Sequence, residues 1–306
     1  KLFNNTMPIQ LVVSTEKKLK GFDVAISYLH SSNDKDFYGG CNEFVLKKVA
    51  TKKKIAYIHC DYLNYGGKTT KNNRIYKKFK TIAAVSVGCK DRFIQSIPDL
   101  TSKTLCVKNC QNYNEIIKKA NVSPIVYNSN SFNIVTVSRL SREKGIVRTM
   151  DIIAKLIKKN YKICWHIIGE GEQKKTIEEL IEFHSLEGKV ILYGNQNNPY
   201  RYMINAELFL LPSYHEAAPM VFDEAKILGL PILATKTIST KEMIIDANAG
   251  WVCENSTEGI QTKLEYILNH LNELEDIREK LKLHKSNNEQ ALKQFDHMLE
   301  RVILNG

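Results

Sequence analysis

The sequence predicts an α/β protein made of two consecutive Rossmann-like domains, each a parallel sheet assembled from βαβ units. Three observations carry this. Short apolar runs rich in β-branched residues alternate with longer stretches of helical period. The alternation begins again after a polar link at Tyr127 to Ser131. The chain has 306 residues, room for two domains of about 150 each.

In the first half, Val24 to Tyr28, Lys54 to Ile58, Ile82 to Ser86 and Thr104 to Val107 read as strands. The stretches Asn42 to Val49, Arg74 to Phe79 and Cys89 to Ile97 lie between them and read as helical. The first strand-like run is Ile9 to Ser14, and the chain opens on Lys1 rather than Met, so the first domain is expected to lack its opening strands. In the second half Phe132 to Val137 reads as a buried strand and Gly145 to Lys159 as an amphipathic helix. Cys164 to Ile168 follows as a strand, Gln173 to Glu187 as a helix, Val190 to Tyr193 as a strand and Tyr200 to Asn205 as a short helix. Leu208 to Leu211 is the next strand. Met220 to Leu228 is a helix closed by Gly229 and Pro231, ahead of the strand Ile232 to Ala234. From Thr257 onward the chain is helical, with Leu264, Ile267, Leu268, Leu271 and Leu274 as a core-packing stripe. The domains are expected at 1–128 and 129–288, with a helix over 289–306 packing back on the first.

Composition removes several classes. The hydrophobic fraction of 43% is ordinary, and 15 Gly and 7 Pro are too few for fibrous or Pro-rich chains. No run approaches the roughly 20 apolar residues of a membrane span, and residues 1–30 lack a secretory layout. The seven cysteines are scattered without a C-x-x-C pair, which points to reduced structural thiols in a cytosolic setting. The net charge of +11 is unevenly placed: residues 1–130 hold 22 Lys and Arg against 9 Asp and Glu, while the rest is nearly neutral. Such asymmetry suits an anionic partner for the first half. An interleaved aromatic platform or recognition motif for nucleic acid is missing.

Chemistry concentrates in three windows. The first is Ser213-Tyr-His-Glu216-Ala-Ala-Pro219-Met-Val-Phe-Asp-Glu224, followed by Gly229-Leu-Pro231. Pro219 suits the first turn of a helix, whose free N–H groups face the end of the strand Leu208 to Leu211 and form a ready phosphate site. Glu216 can reach a pocket from the loop and Glu224 from the helix, and carboxylates are acceptors suited to paired hydroxyls. In the second window, Val137-Ser-Arg139-Leu-Ser-Arg-Glu-Lys144-Gly145, a strand enters a polar turn in which Arg139 and Lys144 are expected to converge on one anion. The third is Ile167-Ile168-Gly169-Glu170-Gly171, where glycines allow close backbone approach.

In their order and spacing these windows resemble glycosyltransferase family 4, the retaining, nucleotide-sugar-dependent group of the GT-B fold. The resemblance is close over Phe132 to about Val252 and looser at F-D-V-A-I-S-Y-L (22–29), A-Y-I-H (56–59), A-V-S-V-G (84–88) and K-N (108–109). It implies two Rossmann-like domains facing a cleft. Arg139 and Lys144 would grip the donor diphosphate and stabilise its departing charge. Glu224 would bind the ribose hydroxyls, Glu216 the donor sugar near its reacting carbon, and His59 the same sugar from the first domain. Gly169, Gly194, Asn195, Ala218, Pro219, Met220 and Val221 would line the donor site, partly through main chain. The family generally needs no metal, so neither a metal nor a cofactor is expected beyond the donor substrate. The sequence departs from the family at Ala217-Ala218, where glycine usually follows the first glutamate.

The reading is a retaining, hexosyltransferase-type enzyme of surface polysaccharide or glycolipid synthesis. It takes a nucleotide diphosphate sugar and a glycan or lipid-linked glycan acceptor. It is expected to be cytoplasmic and peripheral on the inner face of the cell membrane, with residues 1–130 on anionic lipid. The alternative is a non-catalytic GT-B subunit or truncated fragment that binds nucleotide sugar or supports a partner.

Overall fold

Runs of β-branched and apolar residues lie in parallel strands shielded on both faces, the arrangement such continuous runs require. The computed structural model describes residues 6–31, 40–283 and 287–304. It divides into two units: residues 1–110 with 288–306, and residues 111–287.

Unit 1 contains a four-stranded sheet in the order β1 (Ala25–Ser27), β2 (Lys54–Ile58), β3 (Thr81–Ala84) and β4 (Thr104–Cys106), all parallel. Its helices are α1 (Thr6–Thr15), α2 (Cys41–Lys48), α3 (Thr70–Tyr76), α4 (Val87–Ser96) and, from the far end of the chain, α12 (Glu289–Leu304). α3 and α4 begin where sequence rules place them: the hydroxyls of Thr69 and Ser86 accept from the backbone N–H of Asn72 and Cys89 at 3.1 Å each. α12 is tied in by the Lys108 N–H, which donates to Gln294 Oε1 at 3.0 Å, and by Arg301, which donates to the Ser102 carbonyl.

The run Ile9 to Ser14, expected as a strand, lies within helix α1. Only Val13 of its Leu-Val-Val core is buried, while Leu11 and Val12 are exposed. A short apolar run has no period of its own, and the packing of α1 on α2 decides it.

Unit 2 contains α5 (Tyr113–Ala120), β5 (Phe132–Val137), α6 (Ile146–Lys158), β6 (Ile163–Ile168), α7 (Lys174–Phe183), β7 (Val190–Leu192) and α8 (Tyr200–Met203). β8 (Leu208–Leu211), α9 (Met220–Ile227), β9 (Ile232–Thr235), β10 (Gly250–Cys253), α10 (Thr257–Leu268) and α11 (Leu271–Leu283) complete it. Its sheet is parallel throughout, in the order β10-β9-β8-β5-β6-β7. The division falls after Cys110, ahead of the link at 127–131 expected to mark it. The cause is α5, which buries Ile116 and Ala120 and packs against α8 and α9.

Alternation along the strands sends Ile134, Trp165, Ile167, Leu210 and Leu233 to one face, under α6, α7 and α10. Val135, Ile168, Phe209, Leu211 and Ala234 go to the other, against α8, α9 and α11. Of the predicted helical stripe, Leu264, Ile267 and Leu274 are buried and Leu268 partly so, but Leu271 opens α11 and is exposed. One polar device crosses the first core: Thr136 Oγ1 donates to the Leu210 carbonyl at 2.6 Å and accepts from Trp165 Nε1 at 2.9 Å. Thr136→Val keeps the shape and removes both bonds, so it should lower stability by about 2 kcal/mol in urea unfolding.

Candidate active site

Strand order locates the site. β6 and β7 extend the unit 2 sheet on one side of β5, and β8 returns to the other side, so β5 and β8 flank a topological switch point. Loops leaving the carboxyl ends of such strands bound the crevice where α/β sheets bind ligands. Here they are 138–145 and 212–219.

The two loops are held by backbone bonds and by glycine. The Tyr214 N–H donates to the Glu143 carbonyl at 2.8 Å. Gly145 has φ +67°, and a Cβ there would stand 2.0 Å from the Pro212 carbonyl oxygen. On the β6 side the Ser138 and Leu140 N–H groups donate to the Ile168 and Glu170 carbonyls at 3.0 and 2.9 Å. Gly169 has φ +144°, and its missing Cβ would lie 1.8 Å from the Ser138 carbonyl. Gly145 and Gly169 therefore serve loop packing first.

Lys144 Nζ and Glu216 Oε1 pair across the switch point at 2.7 Å, with side chains only 16% and 10% exposed. Ser213 Oγ donates to the same Oε1 at 2.7 Å. The guanidinium of Arg148 lies 3.8 Å over the Tyr214 ring and donates to the Pro212 carbonyl and to Asn255 Oδ1, at 2.6 and 2.7 Å. Asn255 Nδ2 in turn bonds the Tyr214 carbonyl at 3.0 Å, and Thr235 Oγ1 donates to the Ser213 carbonyl. The loop bearing Glu216 is thus fastened at three successive carbonyls.

Arg139 behaves differently. It is engaged separately from Lys144, in an exposed 2.8 Å pair with Glu143, and its side chain is 75% exposed. In this structure each of the two cations expected to converge on one anion is paired with its own carboxylate. Exposure leaves Arg139 free to reorient at small cost, since surface ion pairs are worth little.

Glu224 projects from α9, where Tyr200 Oη donates to its Oε1 at 3.2 Å. Burial raises its pKa above the ordinary carboxylate range, with the Tyr200 bond opposing. The same contact and burial push Tyr200 up to about 12. Pro219, expected in the first helical turn, sits one residue earlier as the N-cap, with φ −67° and ψ 117°, and Met220 begins α9. Gln111 Nε2 donates to the Met220 carbonyl at 3.1 Å. Neither Ala217 nor Ala218 takes a positive φ, which is how alanine fits where glycine was expected.

Of the remaining predicted residues, Ala218 and Val221 flank that helix start, and Gly194 and Asn195 form the loop after β7. The Gly194 carbonyl accepts from the Gly169 N–H at 2.8 Å. His59 belongs to unit 1, directly after β2. Sequence reasoning passed over Ser213, Arg148, Asn255 and Tyr200. Ser213 lay inside the first window, and Arg148 one helical turn beyond Lys144; Tyr200 and Asn255 carried no local signal. His166 is structural: its two ring nitrogens meet Asn133 Oδ1 and Tyr193 Oη at 3.1 Å each. All seven cysteines are free. Among the described residues no three His, Cys, Asp or Glu side chains group as a metal would need, and no helix is long and apolar enough to cross a membrane.

Comparison with known proteins bears on the fold and the family. An uncharacterized glycosyltransferase of Methanocaldococcus jannaschii is 26% identical over 168 residues, 53% of this chain and 41% of that protein. A Campylobacter jejuni enzyme is 33% identical over 138 residues, 43% of this chain and 37% of its own length. It is named N-acetylgalactosamine-N,N'-diacetylbacillosaminyl-diphospho-undecaprenol 4-alpha-N-acetylgalactosaminyltransferase. The matches thus span about two fifths of these relatives. The crystal structure of Anabaena Alr3699/HepE in complex with UDP and glucose superposes with a TM-score of 0.71 at 15% identity, covering 97% of this chain and 80% of that one. The fold is therefore that of GT-B glycosyltransferases. A family model described as glycosyl transferases group 1 matches residues 118–284, more than half the chain and nearly all of unit 2, and the chain belongs to that family.

Proposed function

We propose that this chain acts in a retaining, metal-independent glycosyl transfer, of hexosyltransferase type, from a nucleotide diphosphate sugar to an acceptor hydroxyl. The observation that carries it is the Lys144–Glu216 pair at the switch point, with the buried Glu224 on the helix that follows. HepE, crystallised with UDP and glucose, and the undecaprenol-linked substrate in the Campylobacter enzyme's name support the donor and acceptor classes.

Lys144 is held by Glu216 at the crevice, a fixed cation whose position costs no further ordering. An arriving diphosphate gives it a second, more highly charged partner, and the exposed Arg139 can swing onto the same group as a planar fork. Two cations on the leaving diphosphate disperse the charge that develops as the glycosidic bond breaks, the role a divalent ion fills in other enzymes. Glu216, anchored by Ser213, stands where the sugar is attached and can accept its hydroxyls.

Glu224 meets the ribose. Its charged form is penalised by burial, so two hydroxyl donors stabilise that form and lower its pKa again. Donor binding is accordingly coupled to deprotonation of Glu224, and affinity should fall as pH drops through its raised pKa.

The setting follows from charge. Residues 1–130 carry 22 basic against 9 acidic side chains, and a polyprenyl-diphosphate glycan is membrane-linked. We place the protein on the cytoplasmic side, resting on anionic lipid through that half, in surface polysaccharide or glycolipid synthesis.

Four outcomes test this. Thermal shift against uridine, guanosine and adenosine diphosphate sugars should show stabilisation by one nucleotide class, and Lys144→Met should abolish it. No shift with any of them would end the reading, and a shift without transfer would favour a binding subunit or fragment. Glu224→Gln should weaken donor binding at least tenfold, about 1.4 kcal/mol. The same substitution should raise the melting temperature at neutral pH. A carboxyl whose folded pKa is raised binds more protons folded than unfolded, so its penalty grows as pH rises from the unfolded value through the folded one. Glutamine removes that penalty, and the gain should vanish below the window. Vesicle co-sedimentation should prefer anionic over neutral lipid; equal binding to both removes the membrane assignment.

A further inference from the structure

Unit 2 has a second concavity, at the opposite end of its sheet from the crevice. Asn133 lies in it at the start of β5, Lys162 and Cys164 at the start of β6, and Lys189 and Ile191 at the start of β7. In register Asn133 stands beside Cys164 and His166 beside Ile191, so these side chains share one face of the sheet. The segment 125–128 completes the wall. The cavity measures about 650 Å³, a volume typical of small-molecule sites. Lying at the amino ends of the strands, it is no part of the switch-point crevice at their carboxyl ends.

The wall is preformed and carries no net charge. The Tyr127 ring lies over His166 at 4.1 Å and 30°. Asn133 Nδ2 donates to the Ser131 and Asn128 carbonyls at 2.8 and 3.2 Å. Its Oδ1 is left to accept from His166 Nε2–H at 3.1 Å, and Nδ1 of the same ring accepts from Tyr193 Oη at 3.1 Å. Tyr127 Oη donates to the Tyr202 carbonyl at 2.6 Å. These groups spend their hydrogens on protein partners, which holds the rings in place before any ligand arrives. Burial lowers His166 to about 4, so its ring is neutral at physiological pH.

Charge enters through Lys162 and Lys189. Both are exposed and line the cavity, and neither has an ion pair among the described residues. No Asp or Glu is among the lining residues. Burial raises the Cys164 thiol and the Lys189 charge opposes that rise, so the ammonium is felt at the cavity floor as well as at its rim. Two ammoniums without a carboxylate repel a metal cation. A carboxylate ligand balances one of them. A phosphate monoester carries about two negative charges at neutral pH and balances both, and lysine meets phosphate as a point charge. The Tyr127 ring and the side chains of Ile125 and Ile191 offer apolar surface to whatever the phosphate is attached to.

We propose that the cavity at the amino ends of β5, β6 and β7 binds a small phosphate monoester with an apolar body. Lys162 and Lys189 hold the phosphate, and Tyr127, Ile125 and Ile191 receive the body. The site stands apart from the glycosyl-transfer reading, since it shares no residue with the loops 138–145 and 212–219.

Isothermal titration of the whole chain with phenyl phosphate tests the site, with inorganic phosphate and benzyl alcohol standing for each half of the ligand. Phenyl phosphate should bind more tightly than either half, and less tightly as salt is raised. Lys162→Gln with Lys189→Gln removes both charges from exposed positions without touching the core. The double variant should weaken phenyl phosphate binding at least about tenfold. Ile191→Trp, which fills the cavity, should weaken it by at least as much, while Lys144→Met at the crevice should leave it unchanged. Absence of phenyl phosphate binding, equal binding by the double lysine variant, or equally tight binding of inorganic phosphate or benzyl alcohol overturns the proposal. Binding that survives the double lysine variant and is lost in Lys144→Met assigns the anion to the crevice and overturns it as well.

Discussion

The Pro212 carbonyl occupies the space that a side chain at position 145 would need, and the candidate site of unit 2 is built around that contact. Lys144 precedes the glycine, and Ser213 and Glu216 follow the proline. Bringing two backbones this close fixes an ammonium and a carboxylate 2.7 Å apart without relying on the side chains to find one another. The loop on the Glu216 side is then fastened by bonds to the Pro212, Ser213 and Tyr214 carbonyls from Arg148, Thr235 and Asn255. A cation held in place beforehand needs no ordering when an anion arrives, whereas ordering a free lysine would take free energy from binding.

How much of this was legible in the sequence depended on whether a feature was local. Strands β2, β5 and β8 were readable to the residue, because an apolar β-branched run between polar ends leaves few alternatives. The run at Ile9 to Ser14 was misread as a strand, since its two exposed residues make it look more buried than it is, and contact with α2 rather than any local pattern sets its conformation. β10 and α5 went unassigned for a related reason. Gly250-Trp-Val-Cys253 is short and opens on glycine, and α5 is eight residues long, stabilised chiefly by what it packs against.

The same distinction runs through the site. Glu216, Lys144 and Glu224 could be named because their spacing in strand-loop-helix units dictates where they project. Their partners could not. That Arg139 turns to Glu143 while Lys144 crosses to Glu216 is a competition between carboxylates, settled by distance in three dimensions. Tyr200 reaches Glu224 from a different helix, and Asn255 comes from beyond β10. Such long-range partners carry no periodicity. Gly169 was expected to allow close backbone approach, and the backbone it admits in this structure is the Ser138 carbonyl.

The two units divide their chemistry in a way that composition conceals. Unit 1 holds most of the positive charge, yet the groups gathered at the ends of β1 and β2 are neutral imidazoles and phenols. Unit 2 is close to neutral overall, yet its switch point is lined by paired charges and a buried carboxylate. Net charge therefore describes how each half meets an extended anionic surface, acting over distances of about a Debye length, roughly 8 Å in physiological salt. Recognition of a single substrate group is decided within hydrogen-bonding distance, where burial and tautomer matter more than the total. Unit 2 sets paired charges and a buried carboxylate at its switch point and unit 1 sets neutral rings at its strand ends, so the half with the greater net charge is not the half whose candidate site is built from charges.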